Sequence, residues 1–120
     1  MTPAETLAKA TAAARREGLE LAMLQQLRAL GLDDGMVMQH RIDTIRKHRA
    51  DFAWPAELLL LEVDGGTWNG GRHARGAGIE SDAEKQSIAA IHGYRTLRAT
   101  TTQVRSGVAA QWVAMARGRE

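Results

Sequence analysis

The stretch HRADFAWPAELLLLEVDGG, residues 48–66, decides how this chain folds. Leu58 to Asp64 is a continuous apolar run closed by two acids, the pattern of a strand buried on both faces. His48 to Trp54 reads as a second strand, ended by Pro55, which cannot donate to a ladder. A hairpin about Pro55, Ala56 and Glu57 would lay Asp51 beside Glu62 and Asp64. Those two acids are two residues apart, so in a strand they project from one face. Carboxylates at the end of an apolar strand are costly unless their charge is compensated. A divalent cation would do so by turning mutual repulsion into shared coordination. The alternative is structural: Asp64 opens an Asp-Gly turn and Glu62 pairs with an arginine.

Outward from this stretch, Thr2 to about Leu30 is rich in helix formers, with Pro3 suited to a first turn. Gly18 interrupts it, so residues 1–16 are expected as a loose helical segment and 17–120 as one domain. Leu21, Leu24, Leu27 and Leu30, with Met23, suggest one apolar stripe. Asp33-Asp34-Gly35 is turn chemistry, and Met36 to Ile42 reads as a strand joined to the next by a polar turn. Gly65 to Ser81 reads as a glycine-rich loop. Ser81 or Asp82 then caps a helix to about Ile91, with Gly93 as terminator. Tyr94 to Thr100 is a fourth strand and Ser106 to Arg117 a last helix. The order is α-β-β-β-α-β-α, an α/β (α+β) fold with a mixed central sheet flanked by helices.

Composition narrows the chemistry. The chain has 120 residues, of which 44% are hydrophobic and 25% charged, as suits one globular domain with a modest core. Cysteine is absent, which removes disulfides and thiolate metal sites and leaves hard oxygen donors suited to Mg2+ or Mn2+. No apolar run reaches the roughly 20 residues that span a bilayer. The N-terminus lacks a secretion signal's apolar core, so a cytoplasmic protein is expected. The formal charge is only +2, but cations cluster: Arg41, Arg46, Lys47 and Arg49 in one place, Arg72 and Arg75 around His73 in another. Cations to hold phosphates beside carboxylates to hold metal would suit a phosphodiester-cleaving enzyme, although solvated surface explains the charges alone equally well.

Asp51 followed by Glu62-Val63-Asp64 resembles the PD-(D/E)XK nuclease superfamily. The longer series HRADFAWP, LLLLEVDGGTWNGGRHARGAG, SDAEKQ and GYRTLRAT is similar to small, often phage- or prophage-borne endonucleases. These are related to very-short-patch-repair endonucleases and Holliday junction resolvase-like proteins. The likeness covers about Glu20 to Trp112. It implies a restriction-endonuclease-like core in a bacterial or phage setting, and a DNA substrate. It also implies metal held by Asp51, Glu62, the Val63 carbonyl and Asp64, with Glu20 as a helical glutamate near it. Asp64 departs from the superfamily, which places a lysine there. The resemblance implies that Lys85, on the helix after the loop, supplies that cation; its structural alternative is a surface pair with Asp82. His73 is implied as a general acid/base or phosphate contact. Trp68 could stack on a base or merely cover the core, and Arg49, Arg72 and Arg75 would grip phosphates. His40, His48 and His92 are weaker candidates, and Leu97, Val104 and Trp112 are expected in packing.

The expected activity is Mg2+- or Mn2+-dependent hydrolysis of DNA phosphodiesters, on branched, nicked or mismatched substrates. A homodimer would place two sites on two strands. Two alternatives stand beside it. One is a non-catalytic DNA- or junction-binding module on the same scaffold. The other is a small structural protein whose acids are paired off by arginines.

Overall fold

A computed structural model describes residues 2–64 and 77–120, apart from the side chains of residues 12–15 and 77. Helix α1 spans Pro3–Ala29, strand β1 Val37–Arg41, β2 Arg49–Trp54 and β3 Leu59–Asp64. Helix α2 spans Ala77–Ile91, β4 Arg95–Thr100, and two short helices follow, α3 over Thr101–Arg105 and α4 over Val108–Ala116. The result is a mixed α+β fold around one four-stranded sheet in the order β1-β2-β3-β4. The first three strands are antiparallel and β4 runs parallel to β3. A parallel pair cannot be joined by a tight turn, and α2 lies in the connection between them.

Helix α1 starts at a capping box: Thr2 Oγ1 accepts the Glu5 N–H at 3.1 Å and Glu5 Oε2 accepts the Thr2 N–H at 2.9 Å. Gly18 lies inside the helix rather than at a break. No described residue before Leu19 is buried. The buried stripe is Leu19, Met23, Leu24 and Leu27, whereas Leu21 and Leu30 are 54% and 61% exposed. This corrects the expected stripe. A three-residue repeat drifts backwards around a helix of 3.6 residues per turn, so only its centre can stay on the core.

The sheet carries a core on each face. Phe52, Trp54, Leu59, Leu61 and Val63 pack with α1, α3 and α4, while Ala50, Ala53 and Leu60 pack with Ile42 and with Ala89 of α2. Leu59, Leu60 and Leu61 are all buried, as the apolar run requires. Each such side chain contributes about 1.5–3 kcal/mol by leaving water. Alternation along β2 slips at Asp51. Ala50 and Ala53 share one core although they are three positions apart, an odd spacing, while Phe52 and Trp54 belong to the other. Pairing with β3 is regular from Trp54↔Leu59 to Phe52↔Leu61 and then stops. Opposite Asp51 on β1, Gln39 has φ +51, an uncommon backbone for a residue with a side chain.

Strands β2 and β3 are joined as expected, through a 3-10 turn at Pro55–Glu57 and a left-handed Leu58. Trp54 closes the bottom of the core by donating its indole N–H to the Leu32 carbonyl at 2.8 Å. The Arg117 guanidinium lies 5.5 Å above the Trp54 ring and binds Glu57, Asp34 and the Leu32 carbonyl, which ties the last turn to two distant connections. Two expected boundaries change. The chain is already helical at Ala77, so Ser81 and Asp82 lie inside α2 rather than capping it. The expected last helix forms as α4 but starts only after Gly107, at φ +86, and a further short helix, α3, capped by Thr100 through Gln103, precedes it. No helix among the described residues is long and apolar enough to cross a membrane.

A candidate active site at the fork between two strands

Where β2 and β3 part, the Val63 N–H has no ladder partner and donates instead to Asp51 Oδ2 at 2.8 Å. The Asp51 side chain thus fills the fork. Its other oxygen accepts the Gln39 carboxamide at 3.4 Å, and the same Nε2 lies 3.3 Å from both oxygens of Glu20 on α1. Burial, then the hydrogen bond and negative charge of Asp51, raise the Glu20 carboxyl to about 7, against the lowering effect of Gln39 and Arg16. Glu20 and Asp51 are therefore an acidic pair that shares its neighbours across the α1 face. The register slip is what makes this possible, since regular alternation would turn Asp51 to the face of Ala53.

Glu62 and Asp64 project to the other face, toward α2, as their two-residue spacing requires. The Lys85 ammonium donates to Glu62 Oε2 at 2.7 Å, with both side chains mostly buried at 22% and 15% exposure. Glu62 Oε1 is buried and has no hydrogen-bond partner among the described residues. Burial raises the Glu62 carboxyl; Lys85 opposes the shift, and the charges of Asp51 and Asp64 add to it. Asp51 and Asp64 therefore both act on Glu62 electrostatically, although it bonds to neither. Arg98 of β4 grips Asp64 through Nε at 3.0 Å and Nη2 at 3.3 Å, and reaches Asp82 with Nη1 at 3.1 Å. The expected Asp82–Lys85 surface pair does not form, because Asp82 is taken by Arg98 and Gln86 while Lys85 turns to Glu62.

The donor set consists of hard carboxylate oxygens and a backbone carbonyl, and the unpartnered Glu62 Oε1 leaves one acceptor open to a hard divalent cation. As they stand, the carboxylates divide between the two faces. Among the described residues, no three His, Asp or Glu side chains converge on a point where an ion would sit.

Arg49 is exposed on β2, two residues from Asp51. Trp68, Arg72, His73 and Arg75 lie outside the described residues. His48 faces Glu84 at 3.1 Å, His40 Nε2 lies 3.2 Å from the Tyr94 hydroxyl, and His92 is 4.0 Å from Asp43. These contacts give each of the three a local structural partner. Val104 and Leu97 take part in packing as expected, and Trp112 packs against the same core. Sequence reasoning did not single out Gln39 or Arg98. Arg98 had a weak signal, a cation in a strand predicted to follow the crossover helix. Gln39 had none, because a left-handed backbone at a non-glycine residue leaves no trace in composition.

Set against known proteins, the chain matches no family model, no curated protein and no solved structure.

Proposed function

We propose that this protein is a metal-dependent DNA endonuclease of PD-(D/E)XK type, with Mg2+ or Mn2+ as its cofactor. The observation that carries the proposal is the Lys85–Glu62 contact at 2.7 Å. A lysine is lacking at position 64, and α2 supplies one to the adjacent acidic residue across the crossover. The mixed sheet, with β4 parallel to β3 across α2, supports a restriction-endonuclease-like core.

Asp51, Glu62 and the Val63 carbonyl would hold the cation, with Asp64 and Glu20 nearby, once Asp51 and Glu62, which lie on opposite faces, turn toward a common point. When bound, the ion supplies an activated water and a Lewis acid for the scissile phosphate. Lys85 would hold a proton or an anionic oxygen next to Glu62, the work of the lysine that position 64 lacks, a role its hydrogen bond to Glu62 supports. Arg98 holds Asp64 in place. His73, Trp68, Arg72 and Arg75 remain candidates for DNA contact from the loop. Mg2+- and Mn2+-dependent nicking of supercoiled plasmid, nicked duplex and four-way junction DNA tests the activity. Cleavage lost in both Asp51→Ala and Glu62→Ala is the expected result, and cleavage retained in either pure variant removes the site assignment.

A non-catalytic DNA-binding module is the second reading. It is favoured by one observation: the carboxylates divide between two faces rather than converging. Binding of all three substrates with no cleavage in either metal would select it.

A further inference from the structure

Arg41 and Arg49 are cross-strand partners, directly opposite one another in the β1–β2 ladder. Both are exposed. Partners in a ladder share a face, and two like charges placed opposite each other repel. The neighbours identify the face. Ile42 and Ala50 pack in the core under α2, so Arg41 and Arg49 point the other way, to the side from which Gln39 and Asp51 meet Glu20.

Among the described residues, neither arginine has an ion-pair partner, although the acidic pair Asp51 and Glu20 lies farther along the same face. All fourteen carboxylates lie among the described residues, because residues 65–76 contain no Asp or Glu. None of those carboxylates forms an ion pair with Arg41 or Arg49. Asp43 and Glu84 are committed to Arg46, and Glu84 also to His48, while Asp51 and Glu20 on the arginines' own side are held by Gln39 and the Val63 N–H. The Arg41 guanidinium spends one donor on the Arg46 carbonyl at 3.0 Å, which fixes its direction along the turn. Guanidinium donors that face outward in a fixed fork match the oxygens of a phosphodiester. At about 3.4 Å per strand residue, Arg49 sits roughly 7 Å along β2 from Asp51. One DNA strand places its charges about 3.4 Å apart along the helix axis, so this span is one or two nucleotides.

We propose that Arg41 and Arg49 together clamp a single backbone phosphate of DNA, one or two nucleotides from the phosphate presented to Asp51. The clamp rests on the reading of this protein as a DNA-binding enzyme and adds Arg41 to it, a residue whose role comes only from pairing. It also sets a path: the bound strand runs along the outer side of the β1–β2 hairpin toward the fork.

Fluorescence anisotropy of a labelled duplex, titrated with protein in EDTA from 0.05 to 0.3 M salt, tests the clamp without requiring cleavage. If one phosphate is shared, either remaining arginine still neutralises it, so Arg41→Gln and Arg49→Gln should each leave the salt slope nearly unchanged while the double variant reduces it by about 0.9, about eightfold weaker binding than wild type at 0.1 M. The expected signature is this lack of additivity. The control is Arg28→Gln with Arg105→Gln, two exposed arginines on α1 and α3 that remove the same charge elsewhere; it should leave the slope unchanged. Slope losses in the two single variants that add up to that of the double, an equal loss in the control, or wild-type binding with no response to the double variant would each overturn the clamp. Wild-type binding that depends on the two arginines together but is never followed by cleavage in Mg2+ or Mn2+ would sink the nuclease and keep the clamp.

Discussion

Replacing Lys85 with methionine removes a charge from a mostly buried contact while keeping much of the side chain's bulk. The ammonium and Glu62 Oε2 are 2.7 Å apart. A hydrogen bond to a charged group contributes about 1.5–3 kcal/mol net, far less than its gross Coulomb energy, because both ions give up water to form it. The loss should depend on pH. Burial raises Glu62 above 4.5, and of the principal influences on it only Lys85 pulls the other way. A carboxyl raised on folding contributes stability that is present below 4.5 and lost as pH climbs through its folded value. Removing Lys85 moves that value higher, so the variant falls further behind wild type as pH rises. The cost of stranding the carboxylate cannot exceed the cost of protonating it, about 0.7 kcal/mol at pH 5 and about 4.8 kcal/mol at pH 8 for a reference value of 4.5. Lys85→Met should therefore lose at most about 0.7 kcal/mol at pH 5 and about 3 kcal/mol at pH 8. Urea unfolding in EDTA, followed by tryptophan fluorescence at both pH values, measures this, and adding Glu62→Gln should remove most of the pH dependence. A deficit of equal size at pH 5 and pH 8 would refute the electrostatic account. Metal-dependent cleavage by Lys85→Met should fall about 10²–10⁴-fold if Lys85 assists proton transfer.

Asp51→Ala strands the Val63 N–H and should cost about 1–3 kcal/mol in urea unfolding, whereas Asp51→Asn keeps an acceptor there and should stay within about 1 kcal/mol of wild type. Both should lose metal-dependent nicking of plasmid DNA. Because Glu20 is raised from 4.5 to about 7, its contribution to stability is present below 4.5 and disappears as pH passes 7. Wild-type melting temperature in EDTA should fall from pH 5 to pH 8 by about 3 °C more than that of Glu20→Gln, a small effect because solvent screens this partly exposed group. A fall of equal size in the variant would remove Glu20 from the account. Gly107 has φ +86 with no atom near its missing Cβ, so Gly107→Ala should cost about 1 kcal/mol from backbone strain alone, as measured by thermal unfolding.

Much of the scaffold was legible in the sequence because its signals are local. The apolar run at Leu58–Asp64, the break at Pro55 and the glycine at 93 each act over a few residues, and the strands they mark fall within a residue or so of expectation. The two-residue spacing of Glu62 and Asp64 correctly placed both on one face. What could not be read depends on more distant partners. A slip of one residue at Asp51 leaves no compositional mark, yet it sends this acid to the side of α1 and away from Glu62. The three-residue leucine repeat misled because the core selects the positions a helix turns toward it. Lys85 could be guessed as a replacement cation only through family resemblance; its choice of Glu62 over Asp82 is a tertiary contact. The short helix at Thr101–Arg105 rests on the Thr100 and Gln103 capping box, and Gly107 sets where the last helix begins.

The fork that hosts Asp51 also supplies a reporter. Most amides in a sheet exchange their protons only when a ladder opens, but the Val63 amide is protected by a carboxylate that other events can claim. A cation that draws Asp51 outward or a DNA phosphate that crowds it would withdraw the acceptor. The Val63 resonance in a nitrogen–proton correlation spectrum should therefore shift and broaden before any change elsewhere in β3. One backbone position would then show the state of the site directly, whether or not a strand is cut.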